Sequence, residues 1–251
     1  MKVLMAQDTF LPNLGGAEVH VWQLSKALLK RGHQVKVVTA TQGPSLSEGL
    51  SVHRFPLLQS QGKRSVGFLP LYLPKLMRLV LQHEVVHGHY TAFCSAVLGT
   101  LAGVLRRPFV VTLHGYGTLE SSVQGSFWLQ RWRRLAFRAA DRVIATSREM
   151  AEVARRFVPD SRIVTIPNGV DTEEFAPSRN GLPTLPVRIV TVRRLVPKNG
   201  VQYLVEAAPL ILEHSPKPVE FWIVGDGSMR RYLEERVQAL GIKKMFRFVG
   251  A

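Results

Sequence analysis

Paired glycines, histidines and arginines recur in this chain at one kind of place, just after a short apolar run. The first such loop is Leu14-Gly15-Gly16-Ala17-Glu18. Its two glycines let backbone approach an anion closely, and the free amides of a following helix present partial positive charge to a phosphate. The same residues also make an ordinary flexible turn, and their spacing is not the Gly-x-Gly-x-x-Gly of dinucleotide sites. The second loop follows Val111-Thr112-Leu113 and carries His114-Gly115-Tyr116-Gly117. A histidine there either caps the loop or acts chemically, donating to a phosphate or hydroxyl or moving a proton near neutral pH. His87 and His89 stand at a comparable strand end. No carboxylate or cysteine cluster accompanies the histidines at ligand spacing, so no metal site is expected. The third loop, Arg193-Arg194-Leu195-Val196-Pro197-Lys198-Asn199-Gly200, supplies cations able to neutralise a diphosphate. The fourth is Val224-Gly225-Asp226-Gly227. Each alone reads equally well as a solvated turn. Four at strand ends converge on a ligand crevice.

The elements that must position these loops follow from hydrophobic patterning. Lys2–Ala6 is a strand, Ala17–Lys30 a helix with Val19, Trp22, Ala27 and Leu28 on or near one face, and Gly32 its stop signal. Gln34–Thr41 then completes a β-α-β unit. Further strands are expected at Ser51–Phe55, Glu84–His87, Pro108–Leu113, Arg142–Thr146 and Arg162–Ile166. This alternation predicts an α/β, doubly wound parallel sheet. Asn-Gly, Asp and prolines over Pro167–Pro186 read as turn and linker chemistry. The expected organisation is a domain over 1–170, a linker over 171–186 and a second α/β series over 187–251. That series has strands at Val187–Val192, Val219–Val224 and Phe246–Val249, and helices at Gly200–Glu213 and Met229–Leu240. Parallel sheets normally have both faces covered, so a three-stranded second domain with two helices reads as incomplete.

Of the 251 residues, 46% are hydrophobic, which excludes a disordered chain. Lys plus Arg number 33 against 18 Asp plus Glu, a formal charge of +15 that favours a polyanionic partner. Nucleic acid is not expected, because no helix-turn-helix, zinc-finger or RNP pattern is present. The single Cys94 and the lack of a signal-peptide pattern point to a reducing, cytoplasmic setting. The longest apolar stretch, Phe93–Leu105, falls short of the roughly 20 residues that span a bilayer. Lys63, Arg64, Lys75 and Arg78 are interleaved with Val66, Phe68, Leu69, Leu71, Tyr72, Leu73, Leu76 and Met77. That mixture fits either peripheral contact with an anionic membrane or a core-packed helix with a solvated face. Trp128, Arg131, Trp132, Arg133, Arg134, Phe137 and Arg138 present the same two alternatives.

Taken together, the motifs resemble the family 4 glycosyltransferases, which have two Rossmann-like domains in the GT-B arrangement. The resemblance rests on Phe10-Leu11-Pro12-Asn13-Leu14-Gly15-Gly16-Ala17-Glu18, Lys30-Arg31-Gly32-His33, Thr112-Leu113-His114-Gly115, Ile166-Pro167-Asn168-Gly169-Val170-Asp171 with Phe175, Arg194-Leu195-Val196, and Ile223-Val224-Gly225-Asp226-Gly227. It implies a retaining, metal-independent transfer of a sugar from a nucleotide-sugar donor, a substrate rather than a cofactor, to an acceptor hydroxyl at a cleft between the two domains. By that likeness Gly15 and Gly16 contact the donor diphosphate or the acceptor, His114 sits near the transferred sugar, and Arg194 balances the leaving diphosphate. Gly225 and Gly227 lie against the nucleotide. Members that use glycan or lipid-linked acceptors suit the basic apolar segments.

Two departures stand out. The family's Arg-x-x-x-x-Lys-Gly pattern has Asn199 here at the lysine position, with Lys198 one place earlier. Its Glu-x7-Glu segment, which holds the donor's ribose and sugar, has no counterpart in these residues. The alternative expectation is therefore a noncatalytic lipid- or glycan-binding remnant, or a partner subunit lacking the donor-binding half.

Overall fold

The computed structural model describes residues 1–43, 49–55, 59–60, 63–64, 69–89, 93–115, 131, 134–135, 137–177 and 185–251. The chain divides into two compact units, Met1–Val170 and Asp171–Ala251.

The first unit is built on a seven-stranded parallel sheet. In chain order its strands are β1 (Lys2–Gln7), β2 (Gln34–Thr39), β3 (Ser51–Arg54), β6 (Val85–His89), β7 (Phe109–Leu113), β8 (Arg142–Ala145) and β9 (Ile163–Thr165). They lie side by side as β3-β2-β1-β6-β7-β8-β9, the doubly wound order whose direction reverses between β1 and β6. Ligands in such sheets bind outside the carboxyl ends of the strands at that reversal. The pleat sorts β1 between two cores. Val3 and Met5 join Val35 and Val37 beneath helix α1 (Gly16–Lys30), while Leu4 and Ala6 join Val38 and Val86 on the other face. That second face is covered by α2 (Leu69–Leu81), α3 (Phe93–Val104) and α4 (Arg148–Arg155). Gly32, at φ 79°, closes α1: its amide bonds to Leu29 O at 2.9 Å and His33 N to Leu28 O at 3.0 Å. This is a Schellman stop, and the left-handed φ is why glycine stands there.

Helix α1 buries Ala17, Val21 and Ser25, not Val19, which is 42% exposed. Trp22 and Leu28 pack partly buried against that core as expected, and a small hydroxyl stands on the seam where no apolar residue marks it. The Ser25 hydroxyl donates to Val21 O at 2.7 Å and so meets the apolar sheet with its donor satisfied.

The segment Lys63–Arg78 is not one element. Lys63–Arg64 forms β5, paired antiparallel with β4 (Gln59–Ser60), and the helix begins only at Leu69. Leu76, Leu79 and Val80 are buried in the main core, while Lys75 and Arg78 are exposed. The Lys75 ammonium lies 5.3 Å over the Phe55 ring. Within the segment Tyr72, Leu73 and Met77 pack partly buried against the same core, while Leu71 is 71% exposed. Val66, Phe68, Trp128, Trp132 and Arg133 lie outside the described residues. No helix among the described residues is long and apolar enough to cross a membrane.

The second unit carries β10 (Val187–Val192), β11 (Val219–Val224) and β12 (Phe246–Gly250), all parallel and side by side in that order. Helices α5 (Val201–His214) and α6 (Arg230–Ala239) supply Val201, Val205, Ala208, Leu233 and Val237 to a core with Val219, Phe221 and Ile223. Phe221 and Phe246 stack there with ring centroids 4.6 Å apart. The other face of the sheet shows Trp222 between the guanidiniums of Arg188 and Arg247, at 4.9 and 5.3 Å from its ring.

Candidate functional site

Two side-chain groups stand at the carboxyl ends of these sheets, one in each unit. In the first unit, β6 ends in Val85-Val86-His87-Gly88-His89 and β7 runs into His114, paired in register so that His89 lies beside Thr112. His20 on α1 joins them. The His20 and His114 rings are 4.6 Å apart between centroids, and His87 and His89 are 4.3 Å apart. His89 Nδ1 lies 3.1 Å from His114 Nε2, and His87 Nε2 lies 2.8 Å from the Thr112 hydroxyl. Gly88 makes this packing possible. A Cβ there would stand 2.9 Å from Ser95 Cβ and 3.2 Å from the Phe109 ring, too close for any side chain without displacing α3. The start of α3 is held in turn by Asp8, just past β1. Its carboxylate accepts from Phe93 N at 3.1 Å and Cys94 N at 2.6 Å.

Burial sets the charge of the cluster. Desolvation first, then repulsion from His20, pushes His87 down to about 4 and, with a further contribution from His87, His114 down to about 3. His89, wholly buried, is lowered well below the ordinary histidine value, and His20 is lowered by desolvation. At neutral pH these rings carry no charge. Of the alternatives open to His114, a ring held neutral suits hydrogen bonding better than proton transfer near neutral pH.

The Gly15–Gly16 turn lies past β1 at the head of α1. Gly15 is the extended N-cap, and Val19 N bonds to its carbonyl at 3.0 Å. The Glu18 carboxylate folds back over the turn, where it accepts from the Thr9 hydroxyl and fills the space a Gly15 Cβ would take. Nothing lies within 4 Å of a Cβ built on Gly16. A carboxylate already seated in the positive field of the helix opposes a second anion there. The turn suits a neutral hydroxyl-bearing group better than a diphosphate.

In the second unit, Gly225 and Gly227 have φ of 138° and 155°. A Cβ on Gly225 would stand 2.9 Å from the Arg193 carbonyl carbon, and one on Gly227 would stand 2.8 Å from that of Leu195. Leu195 N donates to Asp226 O at 2.9 Å, and Met229 N to Leu195 O at 2.9 Å. These glycines thus clamp the Arg193–Leu195 backbone to the turn after β11, a packing role not foreseen from their Gly-x-Gly spacing. Leu195 is fully buried and anchors the loop, leaving Arg194 and Lys198 exposed on it. Asn199 donates from Nδ2 to Arg194 O at 2.7 Å, and Gly200 turns with φ 74° into α5. Asn199 is therefore a brace inside the loop, and Lys198 is the exposed cation beside it.

A family model described as Glycosyltransferase Family 4 matches residues 14–174, and one described as Glycosyl transferases group 1 matches residues 172–251. The chain belongs to glycosyltransferase family 4. A phosphatidylinositol N-acetylglucosaminyltransferase subunit from Arabidopsis thaliana is 31% identical over 268 residues, covering 100% of this chain and 58% of the relative. The UDP-Gal:alpha-D-GlcNAc-diphosphoundecaprenol alpha-1,3-galactosyltransferase of Escherichia coli is 28% identical, with 99% of this chain and 69% of that protein covered. Among solved structures, TarM superposes with a TM-score of 0.74 at 11% identity over 99% of this chain and 76% of its own. WaaG, a glycosyltransferase involved in lipopolysaccharide biosynthesis, superposes at 0.67 with 16% identity over 99% and 70%. The two units thus have the Rossmann-like folds of GT-B glycosyltransferases, the second only in part. The chain spans about 58% of the length of the plant relative.

Within this family 4 chain, sequence reasoning missed His20, Asp8 and the bracing role of Asn199. Asp8 directly follows an apolar strand, a place where a carboxylate commonly meets a helix N-terminus. His20 carried no signal, because it sits mid-helix and becomes relevant only when α1 packs beside β6.

Proposed function

We propose that the chain carries the acceptor side and part of the donor side of a glycosyltransferase that moves a sugar from a nucleoside-diphosphate donor to a hydroxyl, with retention at the sugar. The observation that carries this reading is the Arg193–Gly200 loop, pinned by Gly225 and Gly227 so that Arg194 and Lys198 stand at the carboxyl ends of β10 and β11. Cleavage of the donor bond builds negative charge on the departing nucleoside diphosphate. Cations fixed in advance stabilise that charge without reorganising, as a metal ion does elsewhere. His114 fits a different task, hydrogen bonding of the sugar by a neutral ring. Gly15 and Gly16, beneath Glu18, take a hydroxyl of the acceptor or sugar. The names of the Arabidopsis and Escherichia coli relatives include phosphatidylinositol and diphosphoundecaprenol, which supports a lipid-linked acceptor presented at a membrane surface.

The test is transfer of radiolabelled sugar from UDP-GlcNAc and UDP-Gal to vesicles of phosphatidylinositol or undecaprenyl-diphosphate-GlcNAc. It uses a polypeptide extended over the remaining length of the relatives. Labelled lipid with the donor's anomeric configuration is expected. Absence of transfer from every nucleotide sugar offered overturns the proposal.

A further inference from the structure

We propose that Arg54 is a positioning residue for the Gly15–Gly16 turn: its guanidinium forks between two loops at the carboxyl end of the sheet and sets where the turn stands. Arg54 is the last residue of the edge strand β3. Its Nη1 donates to Thr41 O, past the end of β2, at 2.9 Å, and its Nη2 donates to Leu11 O, past the end of β1, at 3.0 Å. One side chain thereby joins three neighbouring strand ends. Its bearing on transfer rests on the reading that Gly15 and Gly16 take a substrate hydroxyl; the tie itself does not.

The weight of that tie depends on what else holds the loop. Up to Phe10 the chain is well secured. Asp8 O accepts from Ala40 N and from the Thr39 hydroxyl, each at 3.1 Å, Phe10 N donates to the Thr41 hydroxyl at 2.9 Å, and the Phe10 ring is fully buried. It is secured again at Ala17, buried on α1. In between, Asn13 N bonds to Phe10 O at 3.1 Å within the loop, and Gly15 O accepts from Val19 N at 3.0 Å within its own helix. Among the described residues, the Arg54–Leu11 bond is the only hydrogen bond that reaches residues 11–16 from elsewhere in the chain. Leu14 is 73% exposed and nothing lies within 4 Å of a Cβ built on Gly16, so packing adds little at the tip.

The tie calls for this residue type. Two carbonyls in different loops are met by the two terminal nitrogens of one planar fork, whereas a lysine ammonium has no fixed fork to span them. Half-burial costs the guanidinium part of its hydration and lowers its pKa, and the carbonyls replace the lost water while leaving it charged. Gly43 makes the room. It stands at φ 154°, and a Cβ there would lie 2.8 Å from Pro12 Cδ and 3.5 Å from Arg54 Cζ. A group that holds a substrate hydroxyl beside the reacting atoms loses rate when it is misplaced by as little as about 1 Å. A turn fixed from outside by one side chain is where such misplacement starts.

The first measurement is 15N relaxation of backbone amides in the wild-type chain, Arg54→Ala and Arg54→Lys. In Arg54→Ala the order parameters of Leu14, Gly15 and Gly16 are expected to fall below about 0.6, while those of β1 and of the body of α1 keep their wild-type values. Arg54→Lys, which keeps the charge but not the fork, should show a smaller fall at the same residues. Circular dichroism establishes which variants are folded, and Arg54→Lys carries the comparison if Arg54→Ala is not. Wild-type order at Gly15 and Gly16 in the folded variants overturns the proposal. The second measurement is transfer by the extended enzyme. There Arg54→Ala should lose at least about tenfold in kcat/KM for the acceptor, and recover part of it with millimolar guanidinium ion but not with methylammonium. A loosened turn with unchanged kcat/KM also overturns the proposal. If the wild-type extended enzyme transfers no sugar, the glycosyl-transfer reading fails by its own test, and relaxation still decides whether Arg54 holds the turn.

Discussion

The histidine cluster of the first unit and the cationic loop of the second occupy equivalent places, the carboxyl ends of parallel strands, but their electrostatics are opposite. His87 and His89 close a central strand and are buried with it, so desolvation strips their charge. Arg194 and Lys198 sit past the end of β10 on a loop anchored by Leu195, with their cations in water. Depth relative to the strand end, more than residue type, decides whether a basic side chain there is a charge or a neutral hydrogen-bonding group. A diphosphate needs the former. A sugar hydroxyl is served by the latter.

This contrast breaks most sharply where the cationic loop is clamped. Gly225→Ala and Gly227→Val combine a left-handed backbone with a clash against the Arg193 or Leu195 backbone. A loss of about 2–4 kcal/mol in denaturant unfolding is expected for each; an unchanged midpoint would show that the loop is not pinned. Next in size, Arg194→Ala should lower turnover of the extended enzyme about 100-fold or more, with a much smaller change in KM, if its charge acts chiefly on the developing diphosphate. A raised KM with turnover unchanged would mark it as a ground-state binder.

The neutral half of the comparison is tested by acid. His87 titrates near 4 in the folded chain against an ordinary 6.5, so below pH 6.5 the unfolded chain takes up a proton that the folded one does not. Its stabilisation is complete above about pH 7 and is lost as pH falls from 6.5 towards 4, amounting to about 2 kcal/mol by pH 5. Guanidinium unfolding at pH 7.5 and 5, with His87→Gln as reference, measures it; a flat profile would contradict a buried neutral ring. The smallest effect belongs to Lys198→Ala. An exposed, salt-screened cation should change nucleoside-diphosphate affinity only about two- to fivefold, with most of that gone at high salt.

Much of this fold is readable as strings. The apolar runs at Lys2–Ala6, Gln34–Thr41 and Pro108–Leu113 mark β1, β2 and β7 to within two residues, because central parallel strands are apolar on both faces. Gly32 announces the end of α1. The site is legible one residue at a time but not as an assembly. His114 and His87 draw attention as strand-end histidines, yet their neutrality depends on how deeply neighbouring elements bury them. His20 joins only through the packing of α1. The face of α1 is legible at Trp22 and Leu28, which pack on the core, but not at Val19, because an apolar count passes over Ser25; in Lys63–Arg78 composition leaves open whether Leu76 has a core to enter, which the structure supplies. The spacing of Gly225 and Gly227 does not disclose that the Arg193 and Leu195 backbone leaves no room for a side chain at either.

The Asp8 carboxylate bonds to the amides of Phe93 and Cys94, across 85 and 86 residues of sequence. The end of β1 and the beginning of α3 are thereby yoked, so the first turn of α3 cannot fray while β1 remains in the sheet. In hydrogen-exchange terms, these two amides should behave as sheet protons although they head a helix, exchanging only through openings large enough to free β1. His89, whose carbonyl accepts from the Ser95 hydroxyl of that same first turn at 3.1 Å, inherits the same rigidity.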